Sequence, residues 1–396
     1  MRIASTSFFL LIIMAGTAWA QDQQLGARTK GMGGSYTAFE DDPVSIWLNP
    51  AGIATQPDQM SIAYQTYLGF PVDQKRGPGD TIEFSVEPET TLVDPALLPA
   101  FIGFTFQIGD AENPMSIGIC FARPYHINYA LDLVEDPAQT VFEPESNLEQ
   151  GFQRFRLAFA KDFRFVPAGE PGFFTHIAAG LGLDVAYTTI RFQTPTANTT
   201  DNMIGVGFGL GVLVGLYDNG DNVKINVGMA YQSPVNFEFN VSPDIFPAFD
   251  MPEQLNIGAT FYLLKESRLR ATVDLQFLGW AATAEKPVFS GKSEFEDTTN
   301  ISVGFEYRID LDSPKIRLFP RLGYRLFGAP WEDANDLPQT GTFKLVLDTD
   351  DDTFNIFTFG LGISWSTEGG KTRSIDWAAD VGGDAFNVAV GYNHEF

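Results

Sequence analysis

Histidine, cysteine and paired carboxylates are where catalytic or metal chemistry would show first, and this sequence has few candidates. Three histidines occur in 396 residues, His126, His176 and His394, far apart and in different strand-like segments. A nucleophile–base pair would need a serine or cysteine brought within hydrogen-bond reach of one of them. The single cysteine, Cys120, has no partner for a disulfide and sits in an apolar stretch. No zinc-like spacing, phosphate loop or dinucleotide fingerprint is present. The chain therefore reads as a non-enzyme, with no catalytic, cofactor or metal residues assigned. A net charge of −25 argues against nucleic acid as a partner, since phosphate binding needs clustered Lys and Arg.

Acids gather between the strand-like segments, as at Asp132, Glu135 and Asp136 and again at Asp348, Asp350, Asp351 and Asp352. They read as solvated loops, or as cation-bridged contacts to lipopolysaccharide. Cations follow a different pattern. Arg317, Arg321 and Arg325 recur on one face of a strand-like segment while Leu318, Leu322 and Leu326 hold the other. Charges inside a membrane protein usually pair with one another. Glu306, Asp376, Asp380, Asp41 and Asp42 are the expected partners, and a ligand carboxylate is the other possibility.

The elements that must position these groups are strands. Ile204, Val206, Phe208, Leu210, Val212 and Val214 alternate with Gly205, Gly207, Gly209 and Gly211. The end of the chain repeats the pattern, with Phe386, Val388, Val390, Tyr392 and Phe396 against Asn387, Ala389, Gly391, Asn393 and Glu395. Alternation over ~10 residues is the signature of a strand with one lipid face and one lumen face. Segments of this kind fall near 59–69, 99–109, 115–131, 150–164, 174–194, 201–217, 222–239, 253–264, 267–280, 297–309, 315–327, 352–366, 372–381 and 385–396. The fold predicted is all-β, a transmembrane antiparallel barrel of about 14 strands spanning 59–396.

Its connections keep step. Links after even-numbered strands are short, such as Asp218–Asp221 and Lys265–Glu266, whereas several after odd-numbered strands are long. Short periplasmic turns and long outer loops put both barrel ends at the periplasmic side. The exceptions are short links near Pro195 and at Gly382–Asp384. Tyr64, Tyr67, Tyr129, Trp280, Trp365, Trp377 and Tyr392 lie near strand ends, where interface belts would place them. Residues 1–20 read as a secretory signal: Arg2, an apolar run from Phe8 to Gly16, then Ala18-Trp19-Ala20. Together with the terminal Phe396, which the barrel-insertion machinery would read, this predicts the outer membrane of a Gram-negative-type cell.

Residues 21–58 do not alternate. Gly31-Met32-Gly33-Gly34, Asp41-Asp42 before Pro43, and Asn49-Pro50-Ala51-Gly52 predict short helical turns. The inward glycines leave room for such a segment inside the barrel, because glycine permits close backbone approach. The same residues, Gly31, Gly33, Gly34, Asp41, Asp42, Asn49, Pro50 and Ala51, resemble the N-terminal hatch of the FadL/TodX family. A second patch is similar to that family, from Met251-Pro252-Glu253-Gln254-Leu255-Asn256 to Asp274 and Gly279-Trp280. The resemblance implies a 14-stranded outer-membrane channel for hydrophobic molecules, with the hatch in the lumen and no cofactor. The hatch also resembles PorV-type barrels, which implies instead a secretion or assembly factor working through protein partners. A structural barrel or adhesin is a third reading.

Two further features bear on transport. Ile245, Phe246, Phe249 and Met251 form an apolar loop, either a landing groove for a hydrophobic ligand or a cover folded over the mouth. Pro124 interrupts the third strand, where a ladder donor is lost. By the family resemblance it is the candidate for a lateral gate; otherwise it lies at the outer rim.

Overall fold

A computed structural model describes residues 24–39, 41–65, 72–74, 84–87, 99–108, 114–133, 146–167, 170–193, 198–238, 250–283, 296–311, 315–328, 353–367, 369–382 and 385–396. The leader at 1–20, Gln21, Ile245, Phe246 and Phe249 lie outside the described residues, as do Glu135, Asp136 and Asp348–Asp352.

The barrel strands are β1 Gln59–Gln65, β2 Phe101–Gln107, β3 in two pieces (Met115–Ala122 and His126–Leu133), β4 Ser146–Arg164, β5 Gly172–Gln193, β6 Asn198–Asp218 and β7 Val223–Gln232. They continue as β8 Glu253–Leu263, β9 Leu269–Gly279, β10 Thr298–Tyr307 (extended by Ile309–Asp310), β11 Ile316–Gly328, β12 Thr353–Ser366, β13 Thr372–Gly382 and β14 Ala385–Glu395. Each is antiparallel to the next. Two short pieces, Val72–Gln74 and Phe84–Glu87, pair with each other, and the second pairs with the upper half of β3. The ring closes where β1 pairs both β2 and β14, with Gln59 opposite Glu395. It is a closed barrel of fourteen strands, as the alternation predicts.

The outer face is apolar where a lipid face must be. Leu181, Leu183 and Val185 on β5, Ile204 and Val206 on β6, and Phe357 and Leu361 on β12 are exposed, Val206 to 74 %. Leaving such side chains in water would cost ~1.5–3 kcal/mol each, so a bilayer is the solvent that suits them. No helix among the described residues is long and apolar enough to cross a membrane. With its strands hydrogen-bonded around a closed ring, this wall spans an outer membrane by its strands.

The short link near Pro195 has a structural reason. It joins β5 and β6, which are 22 and 21 residues long. A spanning strand needs ~9–11 residues, so this hairpin rises past the bilayer by lengthening its strands rather than its loop. Its upper outward residues turn polar: the Tyr187 hydroxyl donates to Asn202 at 2.7 Å, beyond Val185 and Ile204.

Tyr64 and Trp377 point outward, as an interface belt requires. Trp280 does not. It follows the last residue of β9, is 1 % exposed, and packs edge-on to Tyr125 at 5.7 Å. A turn in which Thr283 N–H donates to the Trp280 carbonyl begins there, outside the strand alternation, so parity no longer dictates where the ring points.

Candidate functional site

A fourteen-stranded ring is too wide for its own side chains to fill, unlike one of ~8 strands. Here residues 24–58 lie against its inner wall. They form α1 (Ala27–Gly31), α2 (Ser45–Leu48) and a 3-10 turn (Pro50–Ile53), and nearly all are buried.

The sequence explains the tightness of that contact. Asn49 caps the 3-10 turn, its Oδ1 accepting the Ala51 N–H at 3.1 Å, while Pro50 supplies the fixed φ that starts such a turn. Its Nδ2 donates to the Thr37 carbonyl at 2.7 Å and to Val212 on β6 at 3.2 Å. The Pro50–Ala51 backbone then rests directly on Gly180 and Gly211 of neighbouring strands, where any Cβ would collide with it. Gly33 and Gly34 both have positive φ, 67° and 85°, which favours glycine. The Gly33 N–H donates to Thr358 on β12 at 2.9 Å. Gly31 lies against Gly360, on the same strand. Asp274 on β9 accepts the Tyr36 and Thr37 N–H groups at 2.7 and 2.8 Å.

Charge ties the segment to the wall at one end. Arg28 contacts Asp41 at 3.1 Å and Glu306 at 2.9 Å, and Arg270 contacts the same two acids at 2.7 and 3.0 Å. Arg321 completes the set, 2.7 Å from both Glu306 and Asp376. Lys30 is paired to Asp380 at 3.0 Å, both fully buried. Burial raises Asp41, but Arg28 and Arg270 outweigh it and hold its carboxyl below the usual range. Asp42 has no such partner among the described residues. Burial pushes it up to about 6, although Arg28 and the Val44 N–H, bonded at 2.9 Å, favour the charged form.

Of the three arginines read on β11, Arg321 and Arg325 are buried and face inward, whereas Arg317 is half-exposed near the barrel end, 3.5 Å from Asp310. A second inward charge group was not singled out in the sequence. Arg154 and Arg156 share Asp184, at 2.9 and 2.6 Å, beneath the ring and carbonyl of Trp47. The signal was present, since Arg154-Phe155-Arg156-Leu157 puts both cations at inward parity.

Above these groups the inner wall turns aromatic. Tyr125 meets Phe152 at 5.9 Å and Trp280 at 5.7 Å, and Phe152 meets Phe237 at 5.9 Å. Met251 belongs here too: it is 2 % exposed and bridges Val235. Pro124 stands beside this cluster, in the gap between the two pieces of β3. Ala122 is opposite Arg154 and His126 opposite Gly151, so four steps on β3 match three on β4. The gap holds one residue too many for a regular ladder, as in a bulge.

His126, His176 and His394 stand on β3, β5 and β14. His176 contacts Thr175, and His394 contacts Tyr392.

No protein-family model matches the sequence, and neither does any curated protein. Solved structures do match. The toluene transporter TbuX of Ralstonia pickettii superposes with a TM-score of 0.57 at 13 % identity, over 95 % of this chain and 99 % of that one. A FadL homologue of Pseudomonas aeruginosa gives 0.55 at 12 % identity, over 97 % and 99 %. The toluene transporter TodX of P. putida gives 0.53 at 12 %, over 95 % and 99 %. The fold is that of the FadL/TodX channels. TbuX and TodX are transporters by name.

Proposed function

We propose that this FadL-type barrel is a passive outer-membrane channel for small hydrophobic molecules, fatty acids or other apolar compounds, with residues 21–58 as its hatch. The observation that carries the reading is the aromatic inner surface of Tyr125, Phe152, Phe237 and Trp280 set beside the break in β3 at Pro124. An apolar solute moving down its gradient needs only such contacts and a way past the wall. Pro124 is the proposed lateral gate, since it offers the ladder no donor and the register slips by one residue there. Ile245, Phe246, Phe249 and Met251 are the proposed landing loop. The segment's bonds to the wall support reading it as the hatch. Lipopolysaccharide around the rim, and insertion machinery reading the strand that ends at Phe396, are the further proposed partners.

The test is uptake of labelled toluene and of labelled laurate by cells carrying the protein. Trp280→Arg and Phe152→Arg, which put charge into the aromatic surface, are expected to reduce uptake to the level of cells without the channel. Phe246→Ser with Phe249→Ser is expected to lower it severalfold. Uptake equal to channel-free cells for the unaltered protein would overturn the proposal.

A PorV-like role with protein partners is favoured by one observation, the ion-paired end of the lumen around Glu306, which offers an apolar solute no route. Affinity capture of specific secreted proteins, without ligand binding, would establish it instead.

A further inference from the structure

Toward the outer end of the lumen, the inner faces of β8, β9 and β10 turn from charge to amide. The register sets Asn256 beside Gln276 and Gln276 beside Asn300, with Gln254 one inward step nearer the outer end. All four are at inward parity, and Gln254, Asn256 and Asn300 are buried. The aromatic surface begins next to this row. Gln254 is opposite Leu278, and Trp280 follows Leu278 by two residues.

These amides orient one another. The Gly328 N–H can only donate, and it takes Asn300 Oδ1 at 2.9 Å. Asn300 Nδ2 is thereby turned to donate to Gln276 Oε1 at 2.7 Å, which leaves Gln276 presenting its Nε2. In the same way Gln254 Nε2 donates to Asn256 Oδ1 at 2.9 Å, and Asn256 presents its Nδ2. Neither amide nitrogen, Asn256 Nδ2 nor Gln276 Nε2, meets an acceptor among the described residues. Polar groups in such surroundings are costly when left without a partner.

Asn256 and Gln276 line a recess of about 30 Å³ between the N-terminal segment and the wall, with Leu48, Leu278 and Phe327 as its apolar sides. That is about the space one water takes in the liquid, so it admits a head group and not a whole ligand. Asp274 and Arg325 line it as well, one charge of each sign. A charged head would leave water for a place with no net opposite charge to receive it. An ammonium would, in addition, offer donors to donors. A neutral oxygen accepts from both amides and carries no such cost.

We propose that the hydrophobic ligand of this barrel carries one neutral oxygen head, an alcohol or a carbonyl, that accepts from Asn256 Nδ2 and Gln276 Nε2. This rests on the channel function proposed for the barrel and adds the head group to it. The apolar body lies against Trp280 and its neighbours while the head enters the recess. Gln254 and Asn300 act as positioning residues, through the two amides they turn.

The test is equilibrium dialysis of radiolabelled probes against the purified full-length protein in nanodiscs, with binding to empty nanodiscs subtracted. Toluene, benzyl alcohol, acetophenone, benzoate and benzylamine share one ring and differ in the head. Benzyl alcohol and acetophenone are expected to bind saturably and at least tenfold tighter than the other three, because a site built to donate rejects an analogue without an acceptor. Asn256→Leu and Gln276→Met are each expected to weaken acetophenone at least fivefold and to leave toluene as it was. Unchanged toluene binding also guards against a folding defect. Toluene bound as tightly as acetophenone would overturn the head-group assignment and leave the channel function standing. Benzoate or benzylamine bound tightest, or variants that weaken toluene and acetophenone alike, would overturn the assignment too. No saturable binding of any probe would remove the channel function along with it.

Discussion

Arg28 and Glu306 are 278 positions apart and make a two-point ion pair, Nε and Nη2 each 2.9 Å from a carboxylate oxygen. Glu306 also receives Arg270 and Arg321, so one carboxylate sits among three guanidinium groups. Removing one partner of a buried pair costs ~3–5 kcal/mol, because the remaining charge stays buried without compensation. Glu306→Gln is therefore expected to lower the urea midpoint of unfolding sharply, followed by tryptophan fluorescence in micelles. A change within experimental scatter would mean that water already screens the cluster.

Asp42 gives a pH signature. Its folded value of about 6 lies above the unfolded ~3.9, so the folded state holds the proton more tightly. The contribution of Asp42 to stability is then greatest below pH ~4, falls as pH rises to about 6 and is flat beyond. The loss amounts to roughly 2–3 kcal/mol at 1.36 kcal/mol per unit. Asp42→Asn keeps an oxygen for the Val44 N–H and is expected to abolish that slope and stabilise the protein at pH 7.5. Asp41 works the other way: its contribution is present above pH ~4 and lost on further acidification, so the two windows do not overlap.

Gly180 offers a steric test. A side chain there collides with the Pro50–Ala51 backbone, so Gly180→Val is expected to push the 3-10 turn off the wall while the outward face stays intact. The barrel should still insert, with single-channel conductance in planar bilayers raised severalfold. Gly369→Ala, where a Cβ meets nothing within 4 Å, is the matched control and should conduct as the unaltered protein does.

Asn49→Ala removes a cap and two donations. Loss of an N-cap costs ~0.5–2 kcal/mol, and here the Thr37 and Val212 carbonyls lose a partner as well. Faster proteolysis within residues 24–58, at unchanged barrel heat-modifiability, is the expected result. Equal cleavage rates would show that Pro50 and the glycine seat hold the turn unaided.

The wall was legible because each strand solves the same local problem. Leu181, Leu183 and Val185 against Gly180, Gly182 and Asp184 can stand in a bilayer in one orientation, and parity carries that along the chain. Inward charges were legible by the same parity, as with Arg321 and Arg325. Their partners were only partly so. Glu306 is directly opposite Arg321 on the next strand, which a register argument reaches. Arg28 comes from a segment whose place inside the ring no local pattern specifies. Trp280 escaped for a related reason: it lies one step past β9, where alternation ends and the turn decides. The kink at Pro124 could be expected from proline chemistry, but the aromatic cluster beside it draws on Phe152, Phe237 and Trp280 from separate strands and turns.

The seam between β1 and β14 has a bearing on how the molecule is made. Ala27 rests against Gly391, Gly31 against Gly360 and Ala378, and Lys30 against Asp380, so the first described helix is seated almost wholly on the last strands. During synthesis the chain emerges with that helix long before its seat exists. Buried lysine and glycine-lined contacts therefore form among the final events of assembly, together with closure of the ring. Until then Leu25, Met32, Phe39 and Trp47 have no complete wall to bury them, and a chain stopped short of β12 would have a floor with nowhere to stand.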